Sequence, residues 1–257
     1  HAIMAGEVDE DSIASFLTLL RQKRESVTEI VAAVRVMRDR GVRTSRAHTD
    51  WLDTCGTGGD ASHTLNVSTL ASLLCAAAGA KVAKHGNRSV SGVCGSADLL
   101  EKLGVAVDVP ASAIEAGIEA TGWGFLFAPL YHPAVKHAMG ARKRIGGKTL
   151  FNLLGPLSNP TGAGHHLLGV YAPDLVRVLA DALGQLGCVS AIIVHGEDGL
   201  DEISIGAPTV YAEVERGNVR EGRLTPEDVG IDRVPATALR VSGPEEAVAM
   251  ARAVLEG

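Results

Sequence analysis

The sequence has no apolar run long enough to cross a membrane. Its longest apolar stretches, such as LASLLCAAAGA, fall far short of the about 20 residues that span a bilayer. The N-terminus also lacks the basic region followed by an apolar one that marks a secretory signal. We therefore expect a cytoplasmic protein that has no membrane partner.

The chain also lacks CxxC pairs and an excess of cations. The spacing of Cys55, Cys75, Cys94 and Cys188 argues against a zinc site or a disulfide framework, so we expect small buried thiols. The 24 Lys and Arg residues are outnumbered by 30 Asp and Glu residues, which gives a net charge of −6. Broad nucleic-acid binding needs many cations on one face, so we expect no nucleic-acid partner. Any anionic ligand must be held by local cations and backbone amides.

What is present is a chain of 257 residues that is 46% hydrophobic, enough to bury a substantial core. Apolar residues at helical spacing occupy the first part, namely Ile13, Phe16, Leu17 and Leu20. Ser26 and Glu29 form a capping-box pattern that predicts the start of another helix, and Gly41 predicts its end. The polar stretch 43–50 then predicts a connector.

After this connector, short apolar runs alternate with helical patterns. We predict strands near 81–84 and at 123–128, 166–172 and 189–196, and helices at 68–78, 95–103, 112–120, 133–144 and 173–186. Such alternation favours a mainly parallel sheet flanked by helices, and residues 208–231, with a Gly-Asn turn, suggest an antiparallel hairpin at its edge. We thus expect an α/β fold: a small helical domain over 1–47, with a contribution from about 131–147, and a larger α/β domain over 48–257.

Two stretches have the composition of a phosphate site. DTCGTGGDASHTLNVST, residues 53–69, places three glycines before a helix, where backbone N–H groups and the helix dipole favour an anion. KHGNRSVSG, residues 84–92, adds a lysine and an arginine among hydroxyl and amide side chains, which suits a phosphorylated sugar. Taken singly, Lys84 and Arg88 are more often solvated surface charges and His85 more often a structural hydrogen-bonder. Asn66 and Ser68 can be explained by helix capping.

Two further stretches carry charge. Residues 131–160 predict a helix with cations at its end, followed by a Gly-Pro-Asn-rich loop. The cations Arg142, Lys143 and Arg144 can interact favourably with the helix dipole, and one of them can equally bind a carboxylate. HGEDGLDEISIG, residues 195–206, follows an apolar strand with acidic residues. Asp201 and Glu202 are hard oxygen ligands at the usual ligand crevice of an α/β sheet and suit Mg²⁺ held jointly with phosphate, although a solvated acidic loop is the alternative.

Together, GTGGD, NVST, KHGNRSVSG, GSADLLEKLG, FNLLGPLSNP and GLDEIS occur in the order and at about the spacing of the anthranilate phosphoribosyltransferase family, which the chain resembles over nearly its whole length. The resemblance implies transfer of the phosphoribosyl group of phosphoribosyl pyrophosphate to the amine of anthranilate, in tryptophan biosynthesis, by an enzyme that uses Mg²⁺. It also implies a homodimer joined through the helical domains.

The resemblance assigns roles to individual positions. For phosphoribosyl pyrophosphate it implies Gly56, Gly59, Asp60, Thr64, Asn66, Ser68, Thr69, Lys84, Asn87, Arg88, Ser91 and Ser96. For anthranilate it implies Gly56, Asn87 and Arg142, and for Mg²⁺ it implies Ser68, Asp201 and Glu202. It identifies no catalytic base, because the amine of the acceptor is itself the nucleophile.

The chain departs from the family pattern in two ways. Lys148 stands before TLFN where the family usually has arginine, and lysine lacks the planar bidentate fork of arginine. Relative to the family, the chain starts at about the second or third helix and stops before the usual C-terminal segment, so we expect both ends of the family fold to be absent.

Three alternative functions stay open at this point. A pyrimidine nucleoside phosphorylase shares the expected architecture, but its usual loop differs from KHGNRSVSG. A related transferase with another aromatic acceptor is compatible with Arg142, which favours a carboxylate without identifying a ring. A non-catalytic or nucleic-acid-binding relative fits least, because the acidic pair and the phosphate loops are intact.

Overall fold

The computed structural model describes residues 1–60, 62–89 and 94–257. The chain opens with three helices, α1 (Ala2–Ala5), α2 (Glu10–Lys23) and α3 (Val27–Asp39). The predicted capping box is confirmed, because the Ser26 hydroxyl accepts from the Glu29 amide and the Glu29 carboxylate accepts from the Ser26 amide. Each of the two longer helices buries one apolar stripe, which in α3 includes Ile30 and Val34.

The central sheet has seven strands in the order β3-β2-β1-β4-β5-β6-β7. The strands are β1 (Leu52–Gly56), β2 (Val82–Gly86), β3 (Trp123–Phe127), β4 (His165–Gly169), β5 (Ser190–Gly196), β6 (Thr209–Glu215) and β7 (Asn218–Leu224). The first five are parallel and the last two antiparallel, so the predicted mainly parallel sheet with an edge hairpin is confirmed.

The helices that follow are α4 (Val67–Ala77), α5 (Ser96–Lys102), α6 (Ala111–Thr121), α7 (Ala128–Tyr131), α8 (Lys136–Ile145), α9 (Leu150–Leu157), α10 (Asp174–Gln185) and α11 (Pro244–Glu256). The main apolar core joins the helical part to the sheet, since side chains of α3, α9 and α10 belong to one buried cluster with strands β4 and β5. Helix α8 packs against α1 and α2, where Arg144 pairs with Asp11 at 2.6 Å.

Three elements differ from the sequence prediction. Strand β1 was not predicted, because its polar residues Asp53 and Thr54 interrupt the apolar pattern although both are fully buried. Helix α9 forms where the sequence suggested a Gly-Pro-Asn-rich loop, because burial of its leucines outweighs the unfavourable Pro156. The hairpin turns at Arg216-Gly217 instead of Gly-Asn, and both turn residues have positive φ, 47° and 84°.

One residue of the predicted apolar stripe on α2 is not buried. Phe16 keeps the helical spacing of its neighbours, yet it is 49% exposed, while Ile13 and Leu17 are buried. No helix in the described ranges is both long enough and apolar enough to span a membrane.

Candidate active site

The predicted phosphate and metal residues gather at the carboxyl edge of the parallel strands. The glycine-rich loop, residues 56–60, continues directly from β1, and Lys84 lies near the end of β2, the next strand in the sheet. The acidic pair Asp201 and Glu202 lies on the loop that follows β5. This edge is where ligands bind in open α/β sheets.

The acidic loop packs directly on the glycine-rich loop. The Gly58 amide donates to Asp201 Oδ2 at 2.9 Å, and a Cβ on Gly56 would lie 2.8 Å from the same oxygen. A Cβ on Gly169, at the end of β4, would overlap the backbone carbonyl of Asp201. Glycine is therefore required on two neighbouring strands for the carboxylate of Asp201 to reach the loop.

The start of α4 joins the second carboxylate to the same place. The Ser68 amide donates to Glu202 Oε1 at 3.2 Å, so this carboxylate lies at a helix N-terminus, where the helix dipole favours negative charge. Thr69 is fully buried and its hydroxyl has no partner in the described part of the chain. Asn66, just before the helix, donates through its side chain to the Cys94 carbonyl at 2.9 Å.

Lys84 is a buried cation, only 1% exposed, beneath the start of α4. Its ammonium donates to the Thr54 carbonyl at 2.5 Å and to Ser68 Oγ at 3.2 Å. Burial lowers the pKa of Lys84, whereas the negative charges of Asp53 and Glu202 oppose this change. Lys84 thus belongs to the site, as the sequence predicted, and its two hydrogen bonds connect β1 to the start of α4.

The ionised forms of the two carboxylates of the acidic pair are disfavoured by their surroundings. Burial, reinforced by the nearby charge of Asp60, raises the pKa of Asp201 to about 7. Burial also raises the pKa of Glu202 to about 8, with a further contribution from Asp201. A cation would stabilise the ionised form of these two carboxylates, because it offsets both their desolvation and their mutual repulsion. Such a cation could bind the carboxylates on one side and a ligand on the other.

No group of three or more His, Cys, Asp or Glu side chains is arranged to hold a metal ion by itself, as far as the described ranges go. A cation at Asp201 and Glu202 would therefore need oxygen ligands from a substrate or water, as Mg²⁺ usually does. A cleft of about 480 Å³ opens beside Asp60 and Thr64, and residues 235–237 and Arg240 form part of its opposite wall.

The structure directs some predicted site residues elsewhere. The guanidinium of Arg88 binds Glu101 through two bonds of 2.6 Å and Asp98 at 2.9 Å, and these acids raise the pKa of Arg88. Asn87 accepts from the Arg88 amide at 2.7 Å, and Ser96 begins α5. Ser91 lies outside the described residues.

Arg142 lies in the last turn of α8, which contacts the N-terminal helices rather than the sheet. Its guanidinium is half-buried over the ring of Phe151, 5.3 Å from the centroid, and burial lowers the pKa of Arg142. Across the described ranges it pairs with no carboxylate, so its charge is available to a ligand.

Sequence reasoning missed a buried polar layer behind the site. Asp53 accepts from the His85 amide at 3.0 Å, and burial raises the pKa of Asp53 to about 6. The ring of His85 bonds the Gly155 carbonyl at 3.1 Å and meets the ring of His132 edge-on at 5.1 Å. Burial lowers the pKa of His85 to about 3, which agrees with its interpretation as a structural hydrogen-bonder. The weak signal for this layer was a polar residue inside each of two apolar strands.

Comparisons with known proteins agree with this architecture. A family model described as the helical bundle domain of a glycosyl transferase family matches residues 1–41, and one described as the a/b domain of that family matches residues 48–257. The chain is 51% identical to anthranilate phosphoribosyltransferase of Alkalilimnicola ehrlichii over 99% of this chain and 75% of the relative. It is 50% identical to the protein of that name from Moorella thermoacetica, with the same two coverages.

Solved structures give the same result. The anthranilate phosphoribosyltransferase of Thermus thermophilus superposes with a TM-score of 0.91 at 46% identity, covering 99% of this chain and 75% of that one. The Saccharomyces cerevisiae enzyme in complex with phosphoribosyl pyrophosphate and Mg superposes with a TM-score of 0.84 at 29% identity, covering 95% and 68%. The identities, the coverage and the geometry of the sheet edge agree, and the chain belongs to the anthranilate phosphoribosyltransferase family.

Proposed function

We propose that this protein transfers the phosphoribosyl group of phosphoribosyl pyrophosphate to the amine of anthranilate and releases diphosphate, in tryptophan biosynthesis. The observation that carries the proposal is that Asp201 accepts from the glycine-rich loop and Glu202 from the start of α4, at the carboxyl edge of the sheet. The loop amides suit a diphosphate, and the acidic pair suits the cation that accompanies it. The family relationship supports the same activity over a pyrimidine nucleoside phosphorylase.

The phosphoribosyl pyrophosphate would lie along the sheet edge from the glycine-rich loop towards α5. Gly56, Gly59 and Asp60 face the diphosphate in this proposal, with Thr64 nearby, and the hydroxyl and amide groups of Asn66, Ser68 and Thr69 meet the ribose phosphate. Lys84, Asn87, Arg88, Ser91 and Ser96 complete this set. Arg88 would first have to exchange its bonds to Asp98 and Glu101 for the phosphate, and Lys84 would have to exchange its bonds to the Thr54 carbonyl and Ser68 Oγ.

Mg²⁺ fits Ser68, Asp201 and Glu202, because two neighbouring carboxylates with raised pKa values lie here and one of them, Glu202, contacts Ser68. When bound, Mg²⁺ neutralises negative charge that develops on the leaving diphosphate. The residues of the chain do the rest. Loop amides orient the diphosphate, and the protein holds the acceptor amine facing the anomeric carbon. In this proposal, positioning of the two substrates accounts for most of the rate acceleration.

The anthranilate would be oriented by Arg142, Asn87 and Gly56. An unpaired, half-buried guanidinium is suited to a carboxylate, which it can bind through two parallel hydrogen bonds. The amine of anthranilate attacks the anomeric carbon as its bond to the diphosphate breaks, and the ammonium that forms then loses a proton to water, so no side-chain nucleophile is needed. A related acceptor with a carboxylate would satisfy the same arginine, and the assay below separates the two.

The test is to measure diphosphate release from phosphoribosyl pyrophosphate and Mg²⁺ with anthranilate, with benzoate or 4-aminobenzoate, and without an acceptor. The proposal expects release with anthranilate, together with a product whose mass equals anthranilate plus the phosphoribosyl group. If diphosphate is released faster with another acceptor, that acceptor and not anthranilate is the substrate. Cleavage of uridine by inorganic phosphate would favour the phosphorylase instead.

We further infer a homodimer formed through the helical part, on a face defined by Phe16, Leu19 and Met139. These side chains are 49%, 64% and 45% exposed on α2 and α8. Large exposed apolar side chains on neighbouring helices are typical of an interface between copies. Light scattering should give twice the chain mass for the parent and the chain mass for Phe16→Asp with Leu19→Asp, whereas Val229→Asp on the opposite domain should leave the mass unchanged.

We place the boundary between the helical and α/β domains at residues 47 and 48, which the ranges of the two family matches support. We also place the protein in the cytoplasm, which the four free cysteines support, because disulfides are rare in reducing compartments.

A further inference from the structure

Lys148 lies at the rim of the glycine-rich loop, although neither the sequence motifs nor the family pattern assigns it a ligand. It precedes α9, and its side chain runs along the loop, where a Cβ on Gly59 would lie 3.1 Å from Lys148 Cε. Gly59 has a φ of +79°, so this position both needs glycine and leaves room for the lysine.

The ammonium group of Lys148 rests on an aromatic ring instead of an ion pair. Its Nζ lies 3.6 Å from the centroid of the Tyr171 ring, just beyond the end of β4. Over residues 1–60, 62–89 and 94–257 it forms neither a salt bridge nor a hydrogen bond. A cation–π contact at a partly exposed site is worth only about 0.5–1 kcal/mol, so a small cost releases the ammonium to a stronger anion.

The surroundings of this lysine act on its charge in two opposing ways. Burial lowers the pKa of Lys148, but the charges of Asp60 and Asp201 act in the opposite direction. Asp60 is the last residue of the glycine-rich loop, and Asp201 accepts from the Gly58 amide of that loop. The ammonium therefore lies at the edge of the glycine-rich loop, close enough to both acids to sense their charge.

The backbone at Lys148 is anchored while its side chain is free. The Arg21 guanidinium of α2 donates to the Lys148 carbonyl at 3.3 Å, and the Thr149 amide donates to Asn152 Oδ1 at 3.0 Å. The helical part thus fixes the point from which the side chain reaches the loop.

We propose that Lys148 is a binding residue for the leaving diphosphate, and that its ammonium moves from the face of Tyr171 to a diphosphate oxygen on the glycine-rich loop. This inference rests on the proposed function, since that function places a diphosphate on the loop. Lysine serves here as a compact point charge on a flexible stem, which can follow the diphosphate as it leaves, whereas a bidentate fork is not required.

The test compares Lys148→Met, Lys148→Arg and Lys143→Met with the parent chain. Lys143 is a matched control, because it is an exposed lysine in the last turn of α8, five residues away. Calorimetry measures the Kd for inorganic diphosphate, and steady-state rates give separate KM values for phosphoribosyl pyrophosphate and anthranilate. If Lys148→Met does not give the circular dichroism spectrum of the parent, Lys148→Gln takes its place.

Lys148→Met should raise the Kd for diphosphate by about tenfold or more, as expected for loss of a hydrogen bond to a charged group. The KM for phosphoribosyl pyrophosphate should rise and that for anthranilate should not. Lys148→Arg should restore most of the affinity, and Lys143→Met should match the parent. Equal diphosphate affinities for Lys148→Met and the parent would overturn the inference and leave the proposed function standing. A parent chain that binds no diphosphate and releases none would overturn both.

Discussion

His85 and His166, on strands β2 and β4, are buried, and burial lowers the pKa of each. His166 bonds the Ala163 carbonyl at 2.9 Å, and burial lowers its pKa to about 4 from the usual value near 6.5. Between these two values the unfolded chain binds more protons than the folded one, so stability falls as the pH drops from about 6.5 towards 4.

His166→Gln should reduce this dependence, because the substituted side chain takes up no proton on unfolding. The slope of the unfolding free energy against pH, measured by urea titration between pH 5 and 6, should decrease by up to about 1.4 kcal/mol per pH unit. His137→Gln, at an exposed position on α8, is the control and should keep the parent slope. An unchanged slope in His166→Gln would mean that this histidine is already charged in the folded protein.

Arg142 is the residue on which recognition of the acceptor depends. Arg142→Ala should raise the KM for anthranilate by about tenfold or more, since a charge-assisted bond to a carboxylate is lost, and should change the KM for phosphoribosyl pyrophosphate much less. Arg144→Ala is a suitable control, because Arg144 already pairs with Asp11. Unchanged saturation by anthranilate would reduce Arg142 to a helix-end cation packed on Phe151.

At the scale of elements, the glycines at the strand ends determine how closely the acidic loop approaches the glycine-rich loop. Gly169→Ala would place a Cβ on the Asp201 carbonyl, so we expect a loss of stability of about 1–3 kcal/mol and a displaced acidic loop. Gly117→Ala in α6 meets no atom within 4 Å and should stabilise by about 0.5–1 kcal/mol. Denaturant titrations of both variants measure the sign of each change in the free energy of unfolding. An unchanged stability of Gly169→Ala would contradict the close packing of Gly169 against Asp201.

The elements also show which parts of the fold can be predicted from sequence. Helices α4, α5, α6 and α10 follow from apolar periodicity and begin and end within one or two residues of the prediction. Strand β1 does not, because Asp53 and Thr54 are buried through hydrogen bonds to residues far along the chain, which no local pattern reveals. The motifs predicted that Ser68 and Glu202 share a site, whereas the proximity of Lys148 to Gly59 depends on how the α8–α9 connection folds over the sheet.

For the whole molecule, the site is assembled from segments more than 100 residues apart and the helical part supports one side of it. Arg21 reaches the Lys148 carbonyl, and Arg38 of α3 donates to the Leu157 carbonyl at the end of α9. The chain covers 75% of the length of its relatives from Alkalilimnicola ehrlichii and Moorella thermoacetica, and within it the glycine-rich loop, the acidic pair and Arg142 are all present.

The central claim is that the acidic pair, joined to the glycine-rich loop, holds the cation that accompanies phosphoribosyl pyrophosphate. The most direct measurement is the Mg²⁺ dependence of diphosphate release at saturating phosphoribosyl pyrophosphate and anthranilate, for the parent and for Asp201→Asn with Glu202→Gln. Glu197→Gln is the control, because Glu197 is an exposed carboxylate that also follows the end of β5 and pairs with Arg223. We predict that the double variant needs at least about tenfold more Mg²⁺ for half-maximal release, while Glu197→Gln follows the parent curve. Superimposable Mg²⁺ curves for the double variant and the parent would contradict the account.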